Sequence, residues 1–196
     1  MISFFFVWVL LLLLTYFLLR ISVLLIGSRL PREHLTQVMR DVPLALDDVF
    51  NVMRDLQTWQ IWSFYCQDKI GLYHSEFTGP QSGLGQVWRW RGNDLSGHME
   101  IRQEWHCMRL LLCVVWDAIP ESKWDRIEFV QNGGLCRIIW QTYGDRSEDP
   151  WIRFLQYLFG PRKLNRAKHQ SLDQLEEYVR SRQSGFKCNS QLDLQS

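Results

Sequence analysis

His98, Glu100, Arg102, Glu104 and His106 recur at every second position, the spacing that lines up one face of a β-strand. Two histidines and two carboxylates so placed have the makings of an acid/base pair or a metal-ligand set. Alternating signs on a solvated sheet face explain the same row, since opposite charges side by side are ordinary there. His74-Ser75-Glu76 has no third partner in sequence, no HExxH helix occurs, and His34 and His169 stand alone. Gly83-Leu84-Gly85 is followed by Trp88 and a strand pattern rather than a helix, so it reads as a turn and not a dinucleotide fingerprint. There is no GxSxG nucleophile elbow. The five cysteines, Cys66, Cys107, Cys113, Cys136 and Cys188, form no CxxC pair and no Cys/His zinc spacing. They read as buried or free thiols in a reducing compartment. No catalytic residue, cofactor-binding residue, cofactor or metal ligand is expected from these patterns.

The elements that carry these residues begin with an apolar run over residues 2–26, interrupted only by Ser3, Thr15, Arg20 and Ser22. Its length suits one bilayer-spanning helix. No basic residue precedes Phe4, unlike a cleaved secretory signal, so the run is expected to be an uncleaved anchor occupying 1–30. Arg20 lies where a long cation can snorkel to the headgroups. Arg29 and Arg32 follow the run, which points to a single-pass membrane protein with its soluble domain on the cytoplasmic side. Without Arg20 the remaining charges balance at 21 against 21, and they are mixed along the chain. A domain so balanced exerts no bulk pull on nucleic acid, and no nucleic-acid partner is expected.

Residues 31–183 have the length of one domain, and 184–196, rich in Ser, Gln, Asn and Asp, are expected to form a flexible tail. A first strand is expected over 34–42. An amphipathic helix over 46–56 and a short helical turn over 58–62 follow. Strand-length runs then lie at 69–77, 86–91, 98–106, 108–118, 124–130 and 135–143, separated by turn signals too short for crossover helices. A helical segment opens at Pro150, is expected to break at Gly160-Pro161, and resumes as a long helix over 162–180. The class is therefore α+β, with a seven-stranded curved antiparallel sheet wrapped around a long C-terminal helix.

Several stretches resemble the SRPBCC superfamily of START-like, polyketide cyclase/dehydrase and lipid transport proteins. Asp48-Val49-Phe50 through Asp55-Leu56 with Trp59 and Trp62 is similar to that family's first helices. Ser82-Gly83-Leu84-Gly85-Gln86-Val87-Trp88-Arg89-Trp90-Arg91-Gly92-Asn93, with Gly97 to Ile101 beside it, is similar to its "sGvGa.y.W.Gn" strand. Gly134 to Trp140 is similar to its "GG.trv.W" strand. The resemblance implies the helix-grip (START-like) fold and a cavity between sheet and helix that takes a hydrophobic small molecule or lipid.

Strand alternation places Trp88 with Trp90, Met99 with Ile101 and Trp105, and Cys136 with Ile138 and Trp140. If those faces meet the terminal helix, they line either a pocket or a filled core. The candidate lining is Trp88, Trp90, Met99, Ile101, Trp116, Ile138 and Trp140. The apolar stretch after Pro150 supplies Trp151, Phe154 and Leu155 as a candidate gate at the bilayer. The expected function is membrane-anchored binding of an apolar ligand, with partners limited to that molecule or lipid and to the membrane through residues 2–26. Two alternatives stay open. A cyclase/dehydrase-like enzyme requires His98, Glu100 or another ionisable group to point inward, and an interaction protein would have its pocket filled by tryptophan.

Overall fold

The computed structural model describes residues 2–66, 72–92, 96–117 and 119–192. The expected start of the second strand at 69–71, the Asn93-Asp94 turn, Ala118 and residues 193–196 lie outside these. Helix α1 (Ile2–Arg29) is apolar on every side, and its stretch Phe6–Arg29 is long and apolar enough to cross a membrane. After three linking residues comes β1 (Glu33–Val42), then α2 (Leu46–Met53), α3 (Trp59–Trp62) and a short 3-10 turn, Phe64–Cys66. The strands β2 (Leu72–Thr78), β3 (Val87–Gly92), β4 (Ser96–Trp105), β5 (Arg109–Trp116), β6 (Ile119–Asn132) and β7 (Leu135–Asp145) follow. Helix α4 runs from Pro150 to Leu192.

The sheet has the order β1-β7-β6-β5-β4-β3-β2, with all neighbours antiparallel. Consecutive strands pair through short turns, and the chain closes the far edge by laying β1 on β7, from Glu33 opposite Asp145 to Val42 opposite Cys136. One face is apolar because the period is two: Leu110, Leu112 and Val114 on β5 are fully buried, as are Cys136, Ile138 and Trp140 on β7. Against that face lie α2, with Val49, Phe50 and Met53 at zero exposure, and the α4 stripe of Leu172, Leu175 and Val179. Burying each such side chain is worth about 1.5–3 kcal/mol, and this apolar layer is what holds the helix to the sheet.

Two expectations are corrected. Helix α4 does not break at Gly160-Pro161; it continues through both residues. Pro161 lacks the N–H that would pair with the Tyr157 carbonyl, and the flanking turns carry the helix across that missing bond. Trp105 does not share the inner face with Met99 and Ile101. A bulge between Ile101 and Gln103 inserts one residue and reverses the phase of the strand end. Trp105 therefore turns outward, where the Arg109 guanidinium sits 3.9 Å from its ring centre. Glu104 instead reaches Arg54 at 2.9 Å and accepts from the Leu84 N–H at 2.8 Å.

Candidate functional site: an aromatic interior around a buried polar island

The face on which the candidate lining residues lie is occupied by their own rings. Trp88, Met99, Ile101, Ile138 and Trp140 have zero exposure, Trp90 has 2%, and Trp116 is half-buried. A side chain with no accessible surface has no water-sized space beside it, so these residues pack as a continuous aromatic layer. Trp88 and Trp90 lie 4.8 Å apart, Trp90 and Trp116 5.2 Å, and Trp59 contacts both Trp62 at 4.7 Å and Trp140 at 5.6 Å. Gly97 makes this possible on β4, because a Cβ there would come within 2.3 Å of the Val115 carbonyl oxygen and 3.1 Å of the Trp90 ring.

Buried indoles normally find an acceptor for their N–H. Trp88 donates to Ser75 Oγ at 2.7 Å, Trp59 to the Met53 carbonyl at 2.8 Å and Trp62 to Thr58 Oγ1 at 3.1 Å. Trp90 and Trp140 do not: each buried Nε1 lacks a hydrogen-bond partner. An unpaired buried donor costs about 1–3 kcal/mol, so these two positions call for an explanation.

A polar island lies in the same layer. Asp125, fully buried on β6, accepts from Tyr65 Oη at 2.7 Å and from the Thr142 hydroxyl. Lys168 of α4, also at zero exposure, reaches Thr36 Oγ1 and the Trp140 carbonyl at 3.4 Å each, with its ammonium 5.6 Å from the Trp140 ring centre. Burial pushes the Lys168 ammonium down to about 8, and the Asp125 charge partly offsets that. Burial, reinforced by Asp125, pushes the Tyr65 phenol well above its ordinary range. The interior thus offers a carboxyl group, a phenol and a lysine whose ammonium is lowered to about 8.

From Thr36 this island continues into a small pocket of about 110 Å³ between β1, β6 and α4, whose polar walls are His34, Lys123, Arg146 and Gln156. His34 donates through Nδ1 to the Gly144 carbonyl at 2.8 Å, and burial followed by the Lys123 charge lowers its pKa. Arg146 donates to the Pro31 and Glu33 carbonyls, 2.8 Å each, and so ties the start of β1 to the end of β7.

Arg153 makes the corresponding tie to α1. It is 5% exposed and donates to the Ser147, Glu148 and Gly27 carbonyls at 2.9, 2.8 and 3.4 Å. At that junction α1 and α4 touch so closely that a Cβ on Gly27 would fall 2.0 Å from the Pro150 carbonyl oxygen. A groove of about 420 Å³ opens beside it, lined by Tyr16, Leu19, Arg20, Leu24, Asp149 and Trp151. Of the candidate gate, Trp151 and Leu155 are exposed, at 44% and 37%, and Phe154 is half-buried. Ile152, Leu158 and Phe159 extend the same exposed apolar surface.

His98 and Glu100 face outward. They alternate with the buried Gly97, Met99 and Ile101, Glu100 pairs with Arg102 at 3.0 Å, and His98 borders an open outer groove with His74, Glu76 and Asp117. The inward ionisable groups are the ones sequence reasoning passed over. A signal for them exists: Asp125 shares its strand face with Ile127 and Phe129, and Lys168 falls within the apolar stripe of α4 beside Leu172 and Leu175. A charge on an apolar face, matched by the opposite sign on the facing element, marks an interior pair.

No protein-family model matches this chain, and no curated protein does. Solved structures do match. Truncated norcoclaurine synthase from Thalictrum flavum is 14% identical with a TM-score of 0.55, over 75% of this chain and 93% of that one. The same synthase in complex with dopamine and hydroxybenzaldehyde is 13% identical with a TM-score of 0.56, over 76% and 87%. Protein CV1439 from Chromobacterium violaceum is 12% identical with a TM-score of 0.53, over 74% and 96%. This is the START-like helix-grip fold. Identity this low establishes architecture, and the helix-grip interior described above must be judged on its own side chains.

Proposed function

We propose that this chain is a membrane-tethered member of the SRPBCC superfamily whose helix-grip interior binds a flat, apolar small molecule bearing acceptor oxygens. The observation that carries the reading is the pair of buried indole N–H groups, Trp90 and Trp140, that lack any acceptor in the protein. An oxygen on the ligand would satisfy each donor, and aromatic faces around them would stack on its body. Lys168 and the Tyr65–Asp125 pair would meet a carbonyl or carboxylate beside Trp140. Norcoclaurine synthase, of the same fold, has been solved with dopamine and hydroxybenzaldehyde, two small oxygenated aromatics.

Because Trp88, Met99, Ile101, Ile138 and Trp140 leave no free space, the ligand enters by displacing rings, and the pocket is one that binding opens. Helix α1 would hold the domain at the bilayer's cytoplasmic face, with Trp151, Phe154 and Leu155 as the gate through which the apolar molecule passes. The complete burial of the lining also favours a second reading, in which the layer is a filled core and the outer surface binds a partner.

Native mass spectrometry of the full chain, extracted in mild detergent, distinguishes the two, together with a fluorescence titration of its tryptophans with hydroxybenzaldehyde. A stoichiometric small-molecule mass, or saturable quenching that weakens in Trp140→Phe, is the expected result. An empty protein whose fluorescence ignores the probe overturns the binding reading in favour of the filled core.

A further inference from the structure

At the sheet end covered by α2, three side chains of different ligand type converge. Cys107 Sγ lies 2.8 Å from Asp47 Oδ1, to which it donates, and 3.3 Å from His106 Nε2. One ligating atom from each of Asp47, His106 and Cys107 falls within 4.8 Å of the other two. We infer that Asp47, His106 and Cys107 form a binding site for a divalent, borderline-soft cation of the zinc type.

The convergence is built by the backbone. Consecutive residues in a strand point to opposite faces, so His106 and Cys107 would ordinarily diverge. Here the β4–β5 connection is a tight turn closed by the Met108 N–H on the Trp105 carbonyl at 3.0 Å. Cys107 stands in it at φ 53°, the one non-glycine residue at positive φ among the described residues. Cβ sterics disfavour that conformation, and such outliers gather at functional sites. Its consequence is to bring thiol and imidazole to the same side.

Helix α2 supplies the third ligand from 60 positions away. Asp47 lies in its first turn, and the helix is held in place by the buried Phe50. That ring packs edge-on against Phe129 at 5.4 Å and against the His106 imidazole at 5.2 Å, which orients the histidine as well.

Thiolate, imidazole and carboxylate together are a zinc-type donor set. A tetrahedral zinc ion spaces such donors roughly 3.3–3.6 Å apart; Cys107 and His106 already stand 3.3 Å apart, and Asp47 has to move out from its 2.8 Å hydrogen bond to the thiol. On binding, the Cys107 S–H bond breaks, the proton leaves to solvent, and a sulfur–metal bond replaces the hydrogen bond to Asp47. Asp47 and His106 are exposed and Cys107 is half-buried, so an ion has an open path and a fourth position for water. The bound ion would clip α2 onto the β4–β5 turn.

Cobalt(II) added to the full chain in detergent, with thiols kept reduced, tests the site. One equivalent should produce a sulfur-to-cobalt charge-transfer band and tetrahedral d–d bands, both displaced by zinc. Cys107→Ser should abolish the charge-transfer band, while Asp47→Asn and His106→Gln should weaken cobalt affinity by about tenfold or more. Zinc should raise the thermal midpoint of the parent and not of Cys107→Ser. Absence of the band in the parent overturns the site, as does a band that survives in Cys107→Ser, since four other cysteines could then hold the metal. If Cys107→Ser fails to fold by circular dichroism, unchanged affinity in both other variants is the overturning result.

Discussion

Lys168 illustrates how one residue sets a pH-dependent property of the whole domain. Its ammonium is buried in an aromatic layer with two long contacts, and its pKa falls from 10.5 to about 8. A base so lowered binds fewer protons folded than unfolded between those values. Stability should therefore rise as pH increases from about 8 toward 10, and the penalty is fully present below 8. Above 10 the direction reverses, because the raised Tyr65 phenol keeps its proton in the fold while the unfolded chain releases it. Chemical denaturation of the parent and Lys168→Met at pH 7 and pH 10 should show a pH-linked gain on the order of 3 kcal/mol in the parent alone. A parallel profile in both proteins would place the effect elsewhere. Asp125→Ala should cost about 3–5 kcal/mol, since it strands the Tyr65 and Thr142 hydroxyls and removes the charge facing Lys168. Differential denaturation curves check it.

At the scale of elements, α4 does two jobs along one continuous helix. Its second half, with Leu172, Leu175 and Val179, fills the concave face of the sheet. Its first half leaves Trp151, Ile152, Leu155, Leu158 and Phe159 exposed beside α1. A surface helix is ordinarily polar on its outer side, so this stretch stands out as an exposed apolar patch, the surface on which the proposed gate rests. Replacing Trp151 and Phe154 by Ser should leave the circular dichroism spectrum and thermal midpoint near parent values while abolishing uptake of an apolar probe from vesicles. Uptake that persists at the parent rate would remove the gate from the proposal. Helix periodicity found both halves but ended the second at 180, short of its end at Leu192, and placed a break at Gly160-Pro161, because a proline's local cost is visible in sequence and the packing that outweighs it is not.

For the molecule as a whole, α1 and the domain are joined by three residues and by the tie from Arg153 to the Gly27 carbonyl, so the domain is held close to wherever α1 ends. Deleting residues 2–26 should move the protein from the carbonate-resistant membrane fraction to the supernatant, with residual binding to anionic vesicles through the exposed first half of α4. Full retention in the membrane pellet would mean that α1 is not the anchor.

Element order and the apolar N-terminal helix were legible from periodicity and turn chemistry, because these are local properties of the chain, and the helix-grip class came from the family resemblance of the stretches around Asp48, Gly85 and Gly134. Which face of β4 points inward was legible up to Ile101 and then lost, since a bulge adds a residue without a local signature. The interior charges Asp125 and Lys168 and the convergence of Asp47 with His106 and Cys107 depended on contacts 60 or more positions apart or on one left-handed residue. The aromatic residues themselves were found from the sequence; that Trp88, Trp90 and Trp140 have almost no accessible surface was decided only by their packing, because volume is a property of neighbours and alternation reports direction alone.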